Sequence, residues 1–568
     1  MNRKLAALFL LVSLLLQCIM FSACGDGVCT VVFDSNGGSP IPATVEVNRF
    51  GKLERPATPQ RANAYFDGWY YKGREWDFEK DVVTRDMTLV ARWGIPFYGE
   101  LNDPNLVAKD WDGSEFVVLT PEDGSAALAF DIVDICADGD HDPRDRVAKA
   151  VYERNELLKK YYNINTVRRV DSIDYYDAAT ADILAYTSEY SAYMVPISDA
   201  LPMALSGYLL DYNSEIPYMN LLESWWDVSA IESVSVNNRA YFAMGDINIG
   251  DDAATYCVFF NSLIARSCGL PNLYDAVKEG NWTIDNMKRF AMSVSGTPDG
   301  SSSSGSLYGD GRYGLFFSDD CASALITSSG NMAFSLFKNG QSIGNNLNSN
   351  GWKNAILAVK DIFIMGNPWA LNLSRKQIGE ELAIENFAAD KTLFYISCCG
   401  NNAKILEKIN TDHGMLPLPK LDGEQKQYGS AIRYEDATCY VVPYNVSDID
   451  FSGFVIEALC YLSSDEHNGD LSSDLNDGLA SVYRYKLCEM YNAYDVGRAE
   501  VLDLILNNRV IDIAFLGDVG GINGLVIESV AYSGKEWGAV MERYGDEIDD
   551  VMRENIYRLW VGMGGLSN

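Results

Sequence analysis

The sequence has 568 residues, 48% of them hydrophobic and 22% charged. That balance excludes a mainly disordered or collagen-like chain, and the length predicts two to four domains. With 79 acidic and 45 basic residues the formal net charge is −34; this excludes a nucleic-acid binder, whose affinity rests on Lys and Arg displacing counterions. The three histidines, His141, His413 and His467, are far apart and fit no metal motif. Neither a metal nor another cofactor is expected.

Met1-Asn2-Arg3-Lys4 is a short basic start, and residues 5–20 form an apolar run with the length of a signal-peptide core, too short for a membrane span. Phe21-Ser22-Ala23-Cys24 follows and resembles the lipobox of bacterial lipoproteins, with Phe21 where Leu is usual. The resemblance implies a signal peptide at 1–23 and an acylated Cys24 that anchors the chain to the outer face of the cytoplasmic membrane. Each buried methylene of such a chain adds about 0.8 kcal/mol. Cys18 would be discarded and Cys24 acylated, which leaves an even number of the 12 cysteines. Their spacing names no pairs, and disulfides and buried free thiols are both open.

Residues 24–94 read as a small β module. Strands are predicted at 31–34, 44–47, 66–70 and 87–93, separated by Gly37-Gly38, Pro56, Pro59 and Lys72-Gly73 as turn signals. A linker follows at 95–110.

The rest of the chain alternates strands and helices. Strands are predicted at 115–119, 164–170, 181–186, 256–260, 393–396 and 438–442, with helices at 144–161, 453–462 and 546–560. Asp142 and Pro143 are placed to start the first helix. This rhythm predicts an α/β fold with open, mostly parallel sheets, and the length exceeds one core, so two lobes are expected. The segment 138–149 starts like a calcium loop, but Pro143 stands where Gly is needed and Lys149 where the bidentate Glu belongs. No GxSxG, HExxH, P-loop or dinucleotide fingerprint occurs, and no enzyme is predicted.

Two resemblances sharpen this reading. FDSNGG, FDGWYYKGREWDF and DMTLVARW, in that order within residues 30–93, resemble the Listeria–Bacteroides repeat, a β-grasp-like surface module. Ala148-Lys149-Ala150-Val151-Tyr152-Glu153-Arg154-Asn155 with Tyr161-Tyr162-Asn163-Ile164, Gly207-Tyr208-Leu209-Leu210-Asp211, Gly280-Asn281-Trp282-Thr283 and Met415-Leu416-Pro417-Leu418-Pro419-Lys420 resemble extracellular solute-binding proteins of the maltose-binding type. That family implies two α/β lobes joined by hinge-crossing strands, the type II periplasmic-binding-protein fold, and a monomer that binds, closes and presents its ligand to an ABC permease. Lobe 1 is placed at about 111–256 and 440–500 and lobe 2 at about 262–436 and 501–568. Crossings are placed near 256–261, near 438–443 and at about residue 500.

The ligand is expected at strand ends. The candidates are Glu122 and Asp123 after the first strand, Tyr186, Glu189 and Tyr190 after 181–185, Phe317 and Asp319 after 313–315, Asn401 after 393–396, and Asp518 near the hinge. Tyrosine rings suit the C–H faces of a sugar, and acids and amides suit its hydroxyls. The expected ligand is an oligosaccharide. A cationic peptide or polyamine in the same fold, and a surface adhesin that holds glycans without transport, are the alternatives.

Overall fold

The computed structural model describes residues 28–61, 65–72, 74–94, 106, 109–122, 135–137, 145–171, 173–294, 312–336, 344–410, 412–464, 478–489 and 496–561. The signal peptide, Cys24, Asp123, the acidic loop 138–142 and most of the linker lie outside them. The chain divides into two compact units, one essentially residues 1–102 and the other most of the remainder.

The first unit is a five-stranded sheet. Its strands are β1 (Val28–Asp34), β2 (Val45–Asn48), β3 (Tyr65–Tyr71), β4 (Arg74–Glu75) and β5 (Met87–Gly94), in the order β2-β1-β5-β3-β4. β1 alternates strictly, sending Cys29, Val31 and Phe33 inward, as period-2 patterning requires of a half-buried strand. Phe33 meets Trp69 edge to face at 4.9 Å, and Trp76, Phe78 and Leu89 complete the core. Three of the four predicted strands agree with observed ones to within one residue at each end, and β1 begins three residues before the predicted 31–34.

The second unit holds the two sheets of the α/β body. The first contains β6 (Glu115–Leu119), β7 (Asn165–Arg169), β8 (Ala192–Pro196) and β16 (Thr438–Val441), in the order β16-β8-β6-β7. β6 runs parallel to β7 and β8, and β16 is antiparallel to β8. The second contains β9 (Tyr256–Asn261), β10 (Tyr313–Phe317), β13 (Ala370–Asn372), β14 (Thr392–Cys398) and β15 (His413–Leu416), in the order β13-β10-β14-β9-β15. β10, β13 and β14 are mutually parallel, and β9 is antiparallel to both its neighbours. The remaining pair, β11 (Phe334–Ser335) and β12 (Gly344–Asn345), is a small hairpin. β8, β9 and β14 are buried along their whole length, which is why they read as continuous apolar runs.

Two predicted elements are corrected. The first helix is Arg146–Tyr162, capped by Asp145, whose side chain accepts from the Ala148 N–H. Residues 181–186 are not a strand but the end of the helix Tyr175–Ala185, closed by Tyr186 in the left-handed region. The Asp174 side chain caps that helix by accepting from the Tyr176 N–H at 2.9 Å, and the cap lies seven residues upstream of the apolar run that looked like a strand.

Candidate ligand-binding cleft

Three segments tie the two sheets together. Residues 248–255 lead from the first sheet into β9, residues 430–437 lead back into β16, and residues 508–512 lie alongside. Tyr256 N–H donates to Ala431 O and Arg433 N–H to Ala254 O, both at 2.9 Å. Ser430 N–H donates to Asn508 O at 2.8 Å and Val510 N–H to Ser430 O at 2.9 Å. The result is a three-stranded ribbon with 430–433 in the middle. Gly250 lets the first segment pack against the start of β16: a Cβ there would sit 2.5 Å from Thr438 Oγ1.

The ribbon fixes which strand ends face each other. Tyr256 pairs with Cys398, so the second sheet meets the hinge at the C-terminal ends of β10 and β14. Thr438 pairs with Pro196, so the first sheet meets it at the C-terminal end of β8. Open α/β sheets hold ligands at such ends, where loops leave the strands.

The polar groups there centre on Arg433. Its Nη1 lies 3.3 Å from Glu380 and 3.2 Å from Asp436, and its Nε 3.6 Å from Asp320. The guanidinium also sits 5.5 Å from the Tyr256 ring centre. Tyr256 and Ser318 donate their hydroxyls to Asp320. Burial alone would lower the Arg433 pKa, but the anionic neighbours raise it well above its usual value, so it stays charged. Burial raises the Asp436 pKa, against the pull of Arg433. From the first sheet, Asp199 opens the helix Ile197–Leu205 and accepts from the Tyr175 hydroxyl; burial raises its pKa as well. Asp319 is held by Asn372 at 2.7 Å and Arg375 at 3.1 Å. Carboxylate oxygens therefore outnumber cationic groups, and Tyr175, Tyr176 and Tyr256 stand among them. Such a floor offers acceptors to hydroxyl or ammonium donors and repels anions.

The residues expected at the site divide. Asp319 lies at the hinge-facing strand ends. Asn401 begins the helix Asn401–Lys408 just past β14; it is fully buried, and its Nδ2 donates to Ser397 Oγ, which donates to Glu380. Phe317 is within β10 rather than after it, and its ring packs 4.3 Å from Phe363 in the core. Glu122 is exposed two residues beyond Thr120, past the end of β6. Tyr186 and Glu189 lie where β8 begins, at the end of the first sheet away from the hinge. The Tyr186 ring meets Tyr444 at 5.4 Å, and the Glu189 N–H is bound by Asp182. Tyr190 is buried with its hydroxyl 3.4 Å from Asp171. Asp518 caps a turn by accepting from the Asn523 N–H. Sequence reasoning missed Arg433, Asp320, Glu380, Asp436 and Asp199. The available signal was position: Asp320 follows a predicted strand, and Arg433 to Asp436 immediately precede another.

The first unit has an open groove of about 670 Å³ between β2 and residues 51–57, lined by Pro40, Pro42, Val45, Val47 and Pro56 among others. Glu46, Lys52, Glu54 and Arg55 also line it, two acidic and two basic side chains. Among the described residues no group of His, Cys, Asp or Glu is arranged to hold a metal.

Comparison with known proteins assigns both units. The α/β body has the two-lobed fold of type II solute-binding proteins of ABC transporters. The sugar-binding protein MalE of Xanthomonas citri shares 13% identity, with 79% of this chain and 98% of that one aligned and a TM-score of 0.51. The galacto-N-biose/lacto-N-biose I-binding protein of the Bifidobacterium longum transporter shares 12%, with 80% and 98% aligned and a TM-score of 0.50. Residues 30–92 match the Listeria–Bacteroides repeat domain. A putative Gly-rich membrane protein of Evansella cellulosilytica is 40% identical over 72 residues, and a putative membrane protein of the same organism is 38% identical over 89. These alignments span 12% and 15% of this chain and only 8% and 13% of the length of those relatives.

Proposed function

We propose that this chain is a lipid-anchored extracellular receptor that captures a carbohydrate, most simply an oligosaccharide, between its lobes and delivers it to an ABC permease. The observation that carries the reading is the convergence of strand ends from both sheets on the Arg433 floor beside the hinge ribbon. A hydroxyl-rich ligand matches it, since carboxylates accept from hydroxyls and tyrosine rings take sugar C–H faces. Nothing in this reading requires bond-breaking chemistry. The fold shared with sugar-binding transport receptors supports it, and the lipobox-like 21–24 supports attachment through Cys24.

The surplus of carboxylates favours a second reading, a cationic peptide or polyamine in the same cleft. The repeat at 30–92 leaves room for a third, a surface adhesin that holds glycans without feeding a transporter. Thermal unfolding against neutral oligosaccharides, basic peptides and polyamines separates the first two. A ligand at 100 times its dissociation constant adds about 2.7 kcal/mol of stability. A shift with neutral sugars that disappears in Asp320→Asn supports carbohydrate capture at this floor. A shift with cations alone replaces it by the second reading. Unchanged sugar uptake in a deletion strain, with lost adherence, would favour the third. Radiolabelled palmitate incorporation that is lost in Cys24→Ser tests the anchor.

A further inference from the structure

The hinge ribbon contains a charged group that the ligand floor does not use. Arg509 lies on the third segment, paired with Ser430 of the second, and it is buried. Its Nε is 2.6 Å from Asp227, and its Nη1 is 2.5 Å from Asp252 and 3.4 Å from Asp251. Asp251 and Asp252 stand in the first turn of the short helix Gly250–Ala254, on the first hinge segment. Asp227 belongs to the first lobe, where its N–H is bound by Met244 O at 3.0 Å. All three carboxylates are buried. One guanidinium thus reaches past the middle segment and joins the first segment, the third segment and the body of the first lobe.

The surroundings make this more than a packing detail. Burial raises the Asp227 pKa, and Arg509 and Arg484 oppose it. Burial likewise raises Asp251 well above its usual value. Burial would lower the Arg509 pKa, but the three aspartates raise it. A buried charge whose partner is removed is strongly unfavourable, so this group has only a few permitted arrangements. The third segment has other ties on either side. Ile511 N–H donates to Ser233 Oγ of the first lobe at 3.0 Å, and Asp512 accepts from the Ala333 N–H of the second at 2.8 Å.

We propose that Arg509 is the positioning residue of the hinge: its forked guanidinium clamps the third segment to the first and so sets the resting angle at which the two lobes present the cleft. The fork is essential to the idea. One planar group meets Asp227 through Nε and the Asp251–Asp252 pair through Nη1, which a single ammonium cannot copy. Closure by hinge rotation then turns about a fixed ribbon instead of allowing its strands to slide.

The test is an interlobe distance distribution in the ligand-free full chain. Spin labels are carried on p-acetylphenylalanine at the exposed positions Glu156, in the first lobe, and Glu407, in the second, so the native thiols are left alone. Arg509→Met and Arg509→Lys are both expected to broaden and shift the distribution while the protein remains folded. Asp252→Asn is expected to shift it in the same direction by less, and it decides the matter if the Arg509 variants do not fold. A merely structural role predicts a lower melting temperature with an unchanged distribution in all folded variants, and that result would overturn the proposal. Full restoration by Arg509→Lys would overturn the requirement for a fork. Because no ligand enters the measurement, its outcome is independent of whether the cleft binds a carbohydrate.

Discussion

Asp512 offers a quantitative check on the hinge. It is 2% exposed; Oδ2 accepts from the Ala333 N–H at 2.8 Å and Oδ1 from the Ala514 N–H at 2.9 Å. Burial pushes its pKa from 3.8 up to about 6, and these hydrogen bonds limit the rise. Between those two values the folded chain holds a proton that the unfolded chain has released. Stability from this group is therefore fully present below pH 3.8 and is lost as pH rises through about 6. At about 1.4 kcal/mol per unit the loss is roughly 3 kcal/mol. Other carboxylates also titrate, so the measurement is a difference. Urea unfolding of wild type and Asp512→Asn is followed by tryptophan fluorescence from pH 4 to 7.5. Since the scan starts above pH 3.8, the stability of wild type relative to the variant should fall by about 2 kcal/mol between pH 4 and 6.5 and then level. Parallel profiles would refute the reasoning, because they would mean that Asp512 titrates alike in both states.

Three further outcomes are expected. Glu457 is fully buried and accepts from the indole N–H groups of Trp225 and Trp226, both at 3.0 Å; Glu457→Gln turns an amide donor toward one indole and should cost about 3 kcal/mol in urea unfolding. Gly250→Ala forces a methyl against Thr438 and should cost about 1–3 kcal/mol, readable as a lower urea midpoint, with Gly250→Ser no better. Burial would raise the Asp182 pKa, but hydrogen bonds from the Glu189 N–H, Thr187, Tyr193 and Asn445 hold it below its usual value. Its stabilisation is thus present above pH 3.8 and lost below it. Asp182→Asn should flatten the acid limb of a melting-temperature profile.

The elements that were legible are those whose pattern has one reading. Residues 115–119 form a short apolar run, and β6 occupies those same positions. The strand predicted at 31–34 lies within β1, which starts three residues earlier. Residues 181–186 misled because alanine, isoleucine and leucine suit a buried helix as well as a strand, and the deciding cap, Asp174, lies a full two turns upstream. That error carried Tyr186 and Glu189 to the wrong end of the first sheet. Phe317 was misplaced because the strand 313–317 runs two residues further than its first three suggest, so the ring points into the core. Asp319 was legible as a residue just past a strand. Arg433 was not, because its meaning comes from Asp320 and Glu380, which only the folded hinge brings to it.

The stretch Arg433 to Asp436 belongs to two machines at once. Arg433 ends the middle strand of the hinge ribbon, residues 434–436 turn from it towards β16, and the side chains of Arg433 and Asp436 belong to the proposed floor. Tyr434 sends its hydroxyl into the hinge to meet the Asp512 N–H at 3.2 Å, while Arg433 pairs with Asp436, Glu380 and Asp320. The proposed floor and the hinge therefore share one short stretch of chain. A substitution that alters the proposed floor would also alter the hinge, so it should be accompanied by compensating changes elsewhere in the ribbon.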